Sequence, residues 1–147
     1  MRRIAFPAAL VAVALCGCAT QTTGQRVLDI GDETQLQRRA YQSRVFDTTD
    51  KDKVLRATIT TLQDLGFVID RADATLGVVS GTKLGSTKLG PPYRLRITVS
   101  VRSRGSTQTT VRANAQFNLE PVDDPKAYQD FFSSLEKSLF LTAQLGE

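Results

Sequence analysis

The chain has 147 residues, with 19 lysines and arginines, 15 aspartates and glutamates, two cysteines and no histidine or tryptophan, and its formal net charge at pH 7 is +4. This length allows one domain with an extension but not two ordinary domains. Without histidine, the chain has no Ser–His or Cys–His nucleophile pair and lacks the commonest ligand for zinc, copper and haem. We therefore expect no metal, no cofactor and no enzymatic activity, since no spacing suggests a catalytic set.

The first seventeen residues have the organisation of a secretory signal peptide. Arg2 and Arg3 provide a positive start, and residues 4–15 are apolar except for Pro7. About twelve apolar residues are too few to cross a bilayer core, which needs roughly 20. The sequence therefore predicts a signal peptide over residues 1–17, with Cys18 directly after it.

The end of this segment, Leu15-Cys16-Gly17-Cys18, resembles the bacterial lipobox. The resemblance implies cleavage before Cys18 and acyl chains, such as palmitate, on that residue. Ala19, in place of aspartate, implies lipid anchoring in the outer membrane on its periplasmic side. An ordinary cleaved secretory signal remains the alternative, because Cys16 stands where a small residue is usual.

Residues 18–43 are polar, and we expect them to form a tether with a short helix over residues 33–41. A single domain is expected over residues 44–147, beginning with a short strand at residues 44–47. Thr49 and the acids that follow it indicate the start of a helix over residues 50–65. Gly66 marks its end.

Four strands are predicted next, as two hairpins. They cover residues 67–70, 76–83, 93–102 and 111–119, and the last two show strict alternation of apolar and polar side chains. Pro125 then opens a second helix, which we expect to extend to about residue 144. The order β-α-β-β-β-β-α predicts an α+β two-layer sandwich, in which two helices cover one face of an antiparallel sheet of four to five strands.

This architecture is similar to the helix-grip domains of the lipoprotein C subunit of the β-barrel assembly machine. At the motif level, the chain resembles a family of small Gram-negative outer-membrane lipoproteins without an assigned activity. The strings that carry this resemblance are Arg44-x-Phe46-Asp47-Thr48, Leu62-Gln63-Asp64-Leu65-Gly66-Phe67 and Asp124-Pro125-x-x-Tyr128-Gln129-x-Phe131-Phe132. The resemblance implies the fold and the location, but no mechanism.

Residues 74–119 contain seven basic side chains and no acid. If the apolar positions of the third and fourth strands face the helices, several arginines share the open face of the sheet. Arginine pairs well with phosphate and carboxylate because its planar fork donates two parallel hydrogen bonds. The alternative is an ordinary solvated face. The candidate residues for an anionic ligand or a partner are Arg94, Arg96, Arg102 and Arg112.

The tandem sequence in residues 81–90 is a second candidate, as a contact loop for a membrane surface or a partner. Its candidate contact residues are Lys83, Leu84, Lys88 and Leu89. A duplication in a tolerant hairpin loop is the alternative explanation. Ser134-x-x-Lys137 matches the spacing of a penicillin-binding motif, but its companion motifs are missing, so we assign it no role.

Together these features predict a lipid-anchored, non-enzymatic module that binds or assembles another envelope component. Its expected partners are the membrane, through the acyl chains on Cys18, and another envelope protein. The alternative is a protein that binds an anionic envelope ligand, such as lipopolysaccharide or a phospholipid, through the basic sheet face. Nucleic acid is not expected as a partner in this location.

Overall fold

The computed structural model describes residues 34–86 and 90–144, and within them the chain forms three helices and six strands. Helix α1 covers residues 34–42. The elements that follow are β1 (Ser43–Phe46), α2 (Lys51–Asp64), β2 (Val68–Asp73), β3 (Val78–Ser86), β4 (Pro92–Arg104), β5 (Gln108–Phe117), β6 (Glu120–Pro121) and α3 (Pro125–Gln144). The predicted signal peptide, the lipidation residue Cys18 and the loop residues Lys88 and Leu89 lie outside the described residues.

The strands form one antiparallel sheet in the order β1-β5-β4-β3-β2, and the short β6 pairs with the end of β5. Helices α2 and α3 pack against each other and against one face of this sheet. The predicted α+β sandwich is therefore confirmed. Strand β1 follows the first helix but pairs with β5, so the first and fifth strands are neighbours in the sheet.

The core lies between the sheet and the two long helices. Alternate residues of β4 and β5, among them Val99, Val101 and Val111, are almost completely buried, as the period-two pattern predicts. Leu62 of α2 and Phe132 of α3 pack against them from the helical layer. Since one face of β4 and of β5 is buried in this way, the intervening polar residues of these two strands are placed on the other face.

Helix α2 begins one residue later than the sequence indicated. Asp50, and not Thr49, is the N-cap, and its carboxylate accepts a hydrogen bond from the amide of Lys53 at 2.8 Å. The carboxylate also lies near the positive end of the helix, where a negative charge is favourable. Thr49 is too early in the chain to serve this end of the helix.

Helix α1 contacts the beginning of α3. The amide of Gln42 donates to the hydroxyl of Tyr128 at 3.3 Å, and the rings of Tyr41 and Tyr128 lie 5.4 Å apart. Arg38 also forms an ion pair with Asp123. These contacts join the last part of the predicted tether to the domain.

The fifth strand ends earlier than expected, at Phe117. Asn118 and Leu119 adopt positive φ angles of 48° and 82° and form the two-residue turn between Phe117 and Glu120. Such a turn needs positive φ at both central positions, where asparagine is common and leucine is not. The alternating pattern continues through Leu119, so it predicts a longer strand, and Asn118 is the one residue here that is typical of such a turn.

Candidate functional site

The register of β3, β4 and β5 places the predicted arginines on the open face of the sheet, which is the face turned away from α2 and α3. Arg96 pairs with Gln116, Arg102 with Thr110, and Ser100 with Arg112. All are out of phase with the buried valines of the same strands. Arg94 has the same orientation. Arg104 has it too, and it lies beyond the predicted strand over residues 93–102 because β4 extends two residues further.

These five arginines have no acidic partner within residues 34–86 and 90–144. The ion pairs of that part of the chain use other basic residues: Arg38, Arg44, Arg71 and Lys126. Since β4 and β5 contain no carboxylate, their arginines present uncompensated positive charge on one surface. We call this surface, made of Arg94, Arg96, Arg102, Arg104 and Arg112, the basic face.

The basic face is divided into two parts by distance along the strands. Arg96 and Arg102 are six residues apart on β4, which corresponds to about 20 Å at the usual rise per strand residue. Arg102 and Arg112, in contrast, are diagonal neighbours on adjacent strands, whose Cβ atoms are about 7–8 Å apart or less. Arg104 lies two residues further on the same face. We call Arg102, Arg104 and Arg112 the Arg102 cluster.

A shallow depression of about 570 Å³ lies over the Arg102 cluster. Three hydroxyl side chains of the open face line it together with the arginines: Ser43, Ser100 and Thr110. Ser103 also borders it, but Ser103 pairs with the buried Thr109, so its side chain belongs to the helical face. Ser43 and Ser100 occupy the positions on either side of Arg112 in the sheet, one on β1 and the other on β4. The depression is thus formed by hydrogen-bond donors and positive charge.

Arg112 also borders a second groove, between α1 and β5. This groove is lined by Gln35, Arg39, Asn114 and Gln116, among others, and by the Arg38–Asp123 ion pair. The Nε atoms of Arg38 and Arg112 are shielded from solvent and have no hydrogen-bond partner in the described structure. Burial, with a smaller contribution from Asp123, raises the pKa of Tyr41, which lies beside Arg38. Arg112 itself forms no ion pair in the part of the chain that the structure describes.

The other end of the sheet carries exposed apolar side chains. Leu84 is 71% exposed and Leu119 81% exposed, and both line a depression of about 400 Å³ beside Arg94. On the opposite face of this end, the rings of Tyr93 and Phe117 stack 5.4 Å apart. This end therefore combines exposed leucines with a single unpaired arginine.

Lys83, the first of the candidate contact residues in the predicted loop, lies within β3 and on the helical side of the sheet. Its ammonium group donates to the carbonyl oxygen of Leu65 at 2.9 Å, at the end of α2. A positive charge is favourable there because the helix carboxyl end is negative. Lys83 therefore stabilises the end of α2, while Leu84, the next residue, is exposed on the open face.

No cluster of metal ligands is found in the described part of the chain. No group of three or more potential acidic, cysteine or histidine ligands comes together in residues 34–86 and 90–144. Ser134, which matched a nucleophile spacing, donates its hydroxyl to the carbonyl of Asp130 one helical turn earlier. In the same residues, none of the helices has the length and apolarity that a membrane crossing requires.

The chain matches no protein-family model and has no significant similarity to a curated protein. The resemblance to small outer-membrane lipoproteins, which depends on the motif strings and the lipobox, stays a prediction.

Proposed function

We propose that this protein is a lipid-anchored, non-enzymatic binding module of the bacterial cell envelope, attached to the outer membrane through Cys18 and facing the periplasm. The domain would hold another, negatively charged envelope component against the basic face. The observation that supports this proposal is that five arginines share one sheet face without an acidic partner in the described residues. Two carboxylates border this face, since Asp47 accepts a hydrogen bond from Gln108 and Asp70 accepts one from Thr82. The five arginines outnumber them, and a mainly positive surface selects partners of opposite charge.

Two features of the molecule support a role in binding rather than catalysis. The helical face is occupied by the core, whereas the opposite face of β3, β4 and β5 carries polar and charged side chains that are partly or fully exposed. Apart from the exposed Leu84 and the half-buried Val78, the residues on it are arginine, threonine, serine, asparagine and glutamine, together with Pro92 at the start of β4. These side chains donate hydrogen bonds well but include no general base with an activated nucleophile. An extended sheet face of this kind suits contact with a large partner.

Site-specific photocrosslinking in intact cells tests the proposal directly. A photoreactive residue at Thr98, in the centre of the open face, should crosslink to an envelope component. The same residue at Ser133, on the exposed side of α3, is the matched control and should not. The double variant Arg96→Glu/Arg102→Glu should reduce the crosslink from position 98. Identical products from both positions, or crosslinks only to a second copy of the chain, would contradict the proposal.

The anchoring part of the proposal has its own test. Cys18→Ala should abolish acylation and release the protein from the outer-membrane fraction, because at least two acyl chains are needed for stable anchoring. Cys16→Ala is the matched control, since it retains the residue to be acylated and makes the lipobox more typical. A Cys18→Ala protein that still sediments with outer membranes would exclude the lipid anchor.

A second candidate is a binding protein for a small anionic envelope ligand. The observation that favours it is the depression over the Arg102 cluster, where three guanidinium groups and the hydroxyls of Ser43, Ser100 and Thr110 lie together. The two candidates share a basic surface but differ in extent. A partner protein would use the whole basic face, whereas a small ligand would need only the Arg102 cluster.

A further inference from the structure

We infer that the Arg102 cluster is a binding site for a phosphate group, either carried by an envelope molecule or free. This inference rests on the proposed function and names the chemistry that the basic face recognises. It assigns the specific contact to one end of the face, formed by Arg102, Arg104 and Arg112, and leaves Arg94 and Arg96 outside it.

The sheet register brings the donors of this site together from three strands. Arg112 on β5 lies between Ser43 on β1 and Ser100 on β4, and Arg102 is its diagonal neighbour. Side chains directly opposite each other on adjacent strands have Cβ atoms about 5 Å apart, and long side chains also reach their diagonal neighbours. The guanidinium groups of Arg102 and Arg112 can therefore contact the same small ligand over Ser100.

The composition of the depression fits phosphate better than carboxylate. A carboxylate has two oxygens, which one arginine fork already satisfies. A phosphate monoester has three terminal oxygens and up to two negative charges, so it can accept from two guanidinium forks and a hydroxyl together. Three unpaired arginines around Ser43, Ser100 and Thr110 supply this set of donors.

The arginines at the other end of the basic face lack this arrangement. Arg96 lies between Thr82 and Gln116, and Arg94 is opposite the exposed Leu84. Neither has a second arginine directly or diagonally opposite on the neighbouring strands. Their charge attracts anions over a longer range, and salt screens this attraction. Arg96 is therefore the natural control for the Arg102 cluster.

Calorimetric titration of the full-length chain in a non-ionic detergent tests the site with two probes. Inorganic phosphate represents the free ion, and glycerol 3-phosphate represents a phosphate monoester carried by a lipid. Both should bind, and acetate at the same ionic strength should bind at least about tenfold more weakly. Tighter binding of glycerol 3-phosphate would identify a headgroup as the source, and equal or tighter binding of inorganic phosphate would identify the free ion.

The variants Arg112→Gln and Arg102→Gln should each weaken phosphate binding about tenfold or more, the usual effect of losing a charge-assisted hydrogen bond. Arg96→Gln should change the affinity by less than about twofold. All three side chains lie on the open face outside the core, so unchanged circular dichroism and thermal midpoints should confirm that the variants fold.

The pH dependence gives an independent readout. Arginine stays protonated at all accessible pH values, whereas a phosphate monoester loses its second proton near pH 6. Binding of glycerol 3-phosphate should therefore become up to about tenfold weaker between pH 7 and pH 5, in parallel with the loss of the dianion.

Three results would overturn the inference. They are no measurable phosphate binding, equal binding of acetate, or equal losses in Arg96→Gln and Arg112→Gln. If phosphate binding fails in one of these ways but the crosslink from Thr98 persists, the phosphate site is wrong and the proposed binding module stands. If the crosslink is also missing, both proposals fail.

Discussion

The backbone amide of Ala115 donates a hydrogen bond to the hydroxyl of Tyr128 at 3.1 Å. This bond joins strand β5, two residues before its end, to helix α3. The same hydroxyl donates to the carbonyl of Val122 at 3.0 Å, and the amide of Val122 donates back to the carbonyl of Ala115. Ala115 lies between the residues of β5 that pair with β1 and those that pair with β6. Tyr128 thus supplies the hydrogen-bond partner that neither β1 nor β6 provides for the amide of Ala115.

The first prediction concerns this hydroxyl. Tyr128→Phe should lower the free energy of unfolding by about 1–3 kcal/mol, because it leaves the Ala115 amide and the Val122 carbonyl without a partner. Tyr93→Phe is the matched control, since the hydroxyl of Tyr93 has no hydrogen bond in the described structure, and it should change stability by less than about 0.5 kcal/mol. Urea denaturation measures both, and equal stability of the two variants would contradict the role of Tyr128.

The second prediction compares two glycines in turns. Gly77 and Gly105 have similar positive φ angles, 65° and 62°, but a Cβ at Gly77 would overlap the carbonyl oxygen of Val101, whereas a Cβ at Gly105 would meet no atom within 4 Å. Gly105→Ala should therefore cost only the left-handed backbone penalty of about 1–2 kcal/mol. Gly77→Ala should cost about 3 kcal/mol or more, because the overlap is added. Thermal or urea unfolding measures the difference, and equal costs would mean that the turn at Gly77 moves to accommodate the methyl group.

The sequence was informative wherever a local pattern determines structure. The alternation in residues 93–102 and 111–117 predicted which side chains enter the core and which arginines face away from it. The clustering of Arg102 with Arg112 was not predictable, because it depends on the register that the turn between β4 and β5 imposes. The alternating pattern alone predicts that four arginines share one face, but it does not show how they are spaced. Along β4, Arg96 and Arg102 are about 20 Å apart.

Interactions between distant segments were also missed. The glycine-rich repeat that contains Lys83 and Leu84 predicts a contact loop at this position. Its actual contact, the carbonyl of Leu65, is eighteen residues away in sequence and is brought near only by the packing of α2 on β3. Leu119 carried no turn signal, because its positive φ contradicts the ordinary preference of leucine.

The third prediction tests the contact of Lys83. Lys83→Met keeps most of the side-chain length but removes the ammonium group, and it should lower the free energy of unfolding by about 1 kcal/mol. Lys53→Met removes the same charge from the first turn of α2, where a positive charge is unfavourable, and should be neutral or slightly stabilising. Urea denaturation of the two variants decides the matter. A loss of stability no greater in Lys83→Met than in Lys53→Met would show that the helix end does not depend on Lys83.

The fourth prediction concerns acid stability. The backbone amide of Leu76 and the guanidinium of Arg71 donate to the carboxylate of Asp73, and they lower its pKa below the ordinary value. A carboxylate with a lowered pKa in the folded state stabilises the protein above its unfolded pKa of about 3.9. This stabilisation is lost as the pH falls through the lower, folded pKa.

Asp73→Asn therefore provides the test. The variant should lose less stability than the unmodified protein between about pH 5 and pH 2, because it lacks the group that takes up a proton on unfolding. Thermal midpoints measured across this range give the comparison. Asp52→Asn is the control, since Asp52 is exposed on α2 and its side chain has no hydrogen bond or ion pair in the described residues. Parallel pH profiles for all three proteins would contradict the role of Asp73.

The fifth prediction concerns the turn at Leu119, where an exposed leucine holds a φ of 82°. Leu119→Gly should raise the free energy of unfolding by about 1 kcal/mol, because the left-handed conformation costs a non-glycine residue about 1–2 kcal/mol, more than the flexibility that glycine adds to the unfolded chain. Leu76 is an exposed leucine in another turn, but its φ is not positive. Leu76→Gly should therefore lower stability by about 0.5–1 kcal/mol. The two substitutions are chemically identical, so opposite signs in urea denaturation would establish that backbone strain is stored at Leu119, beside Arg94 and Leu84, and equal signs would exclude it.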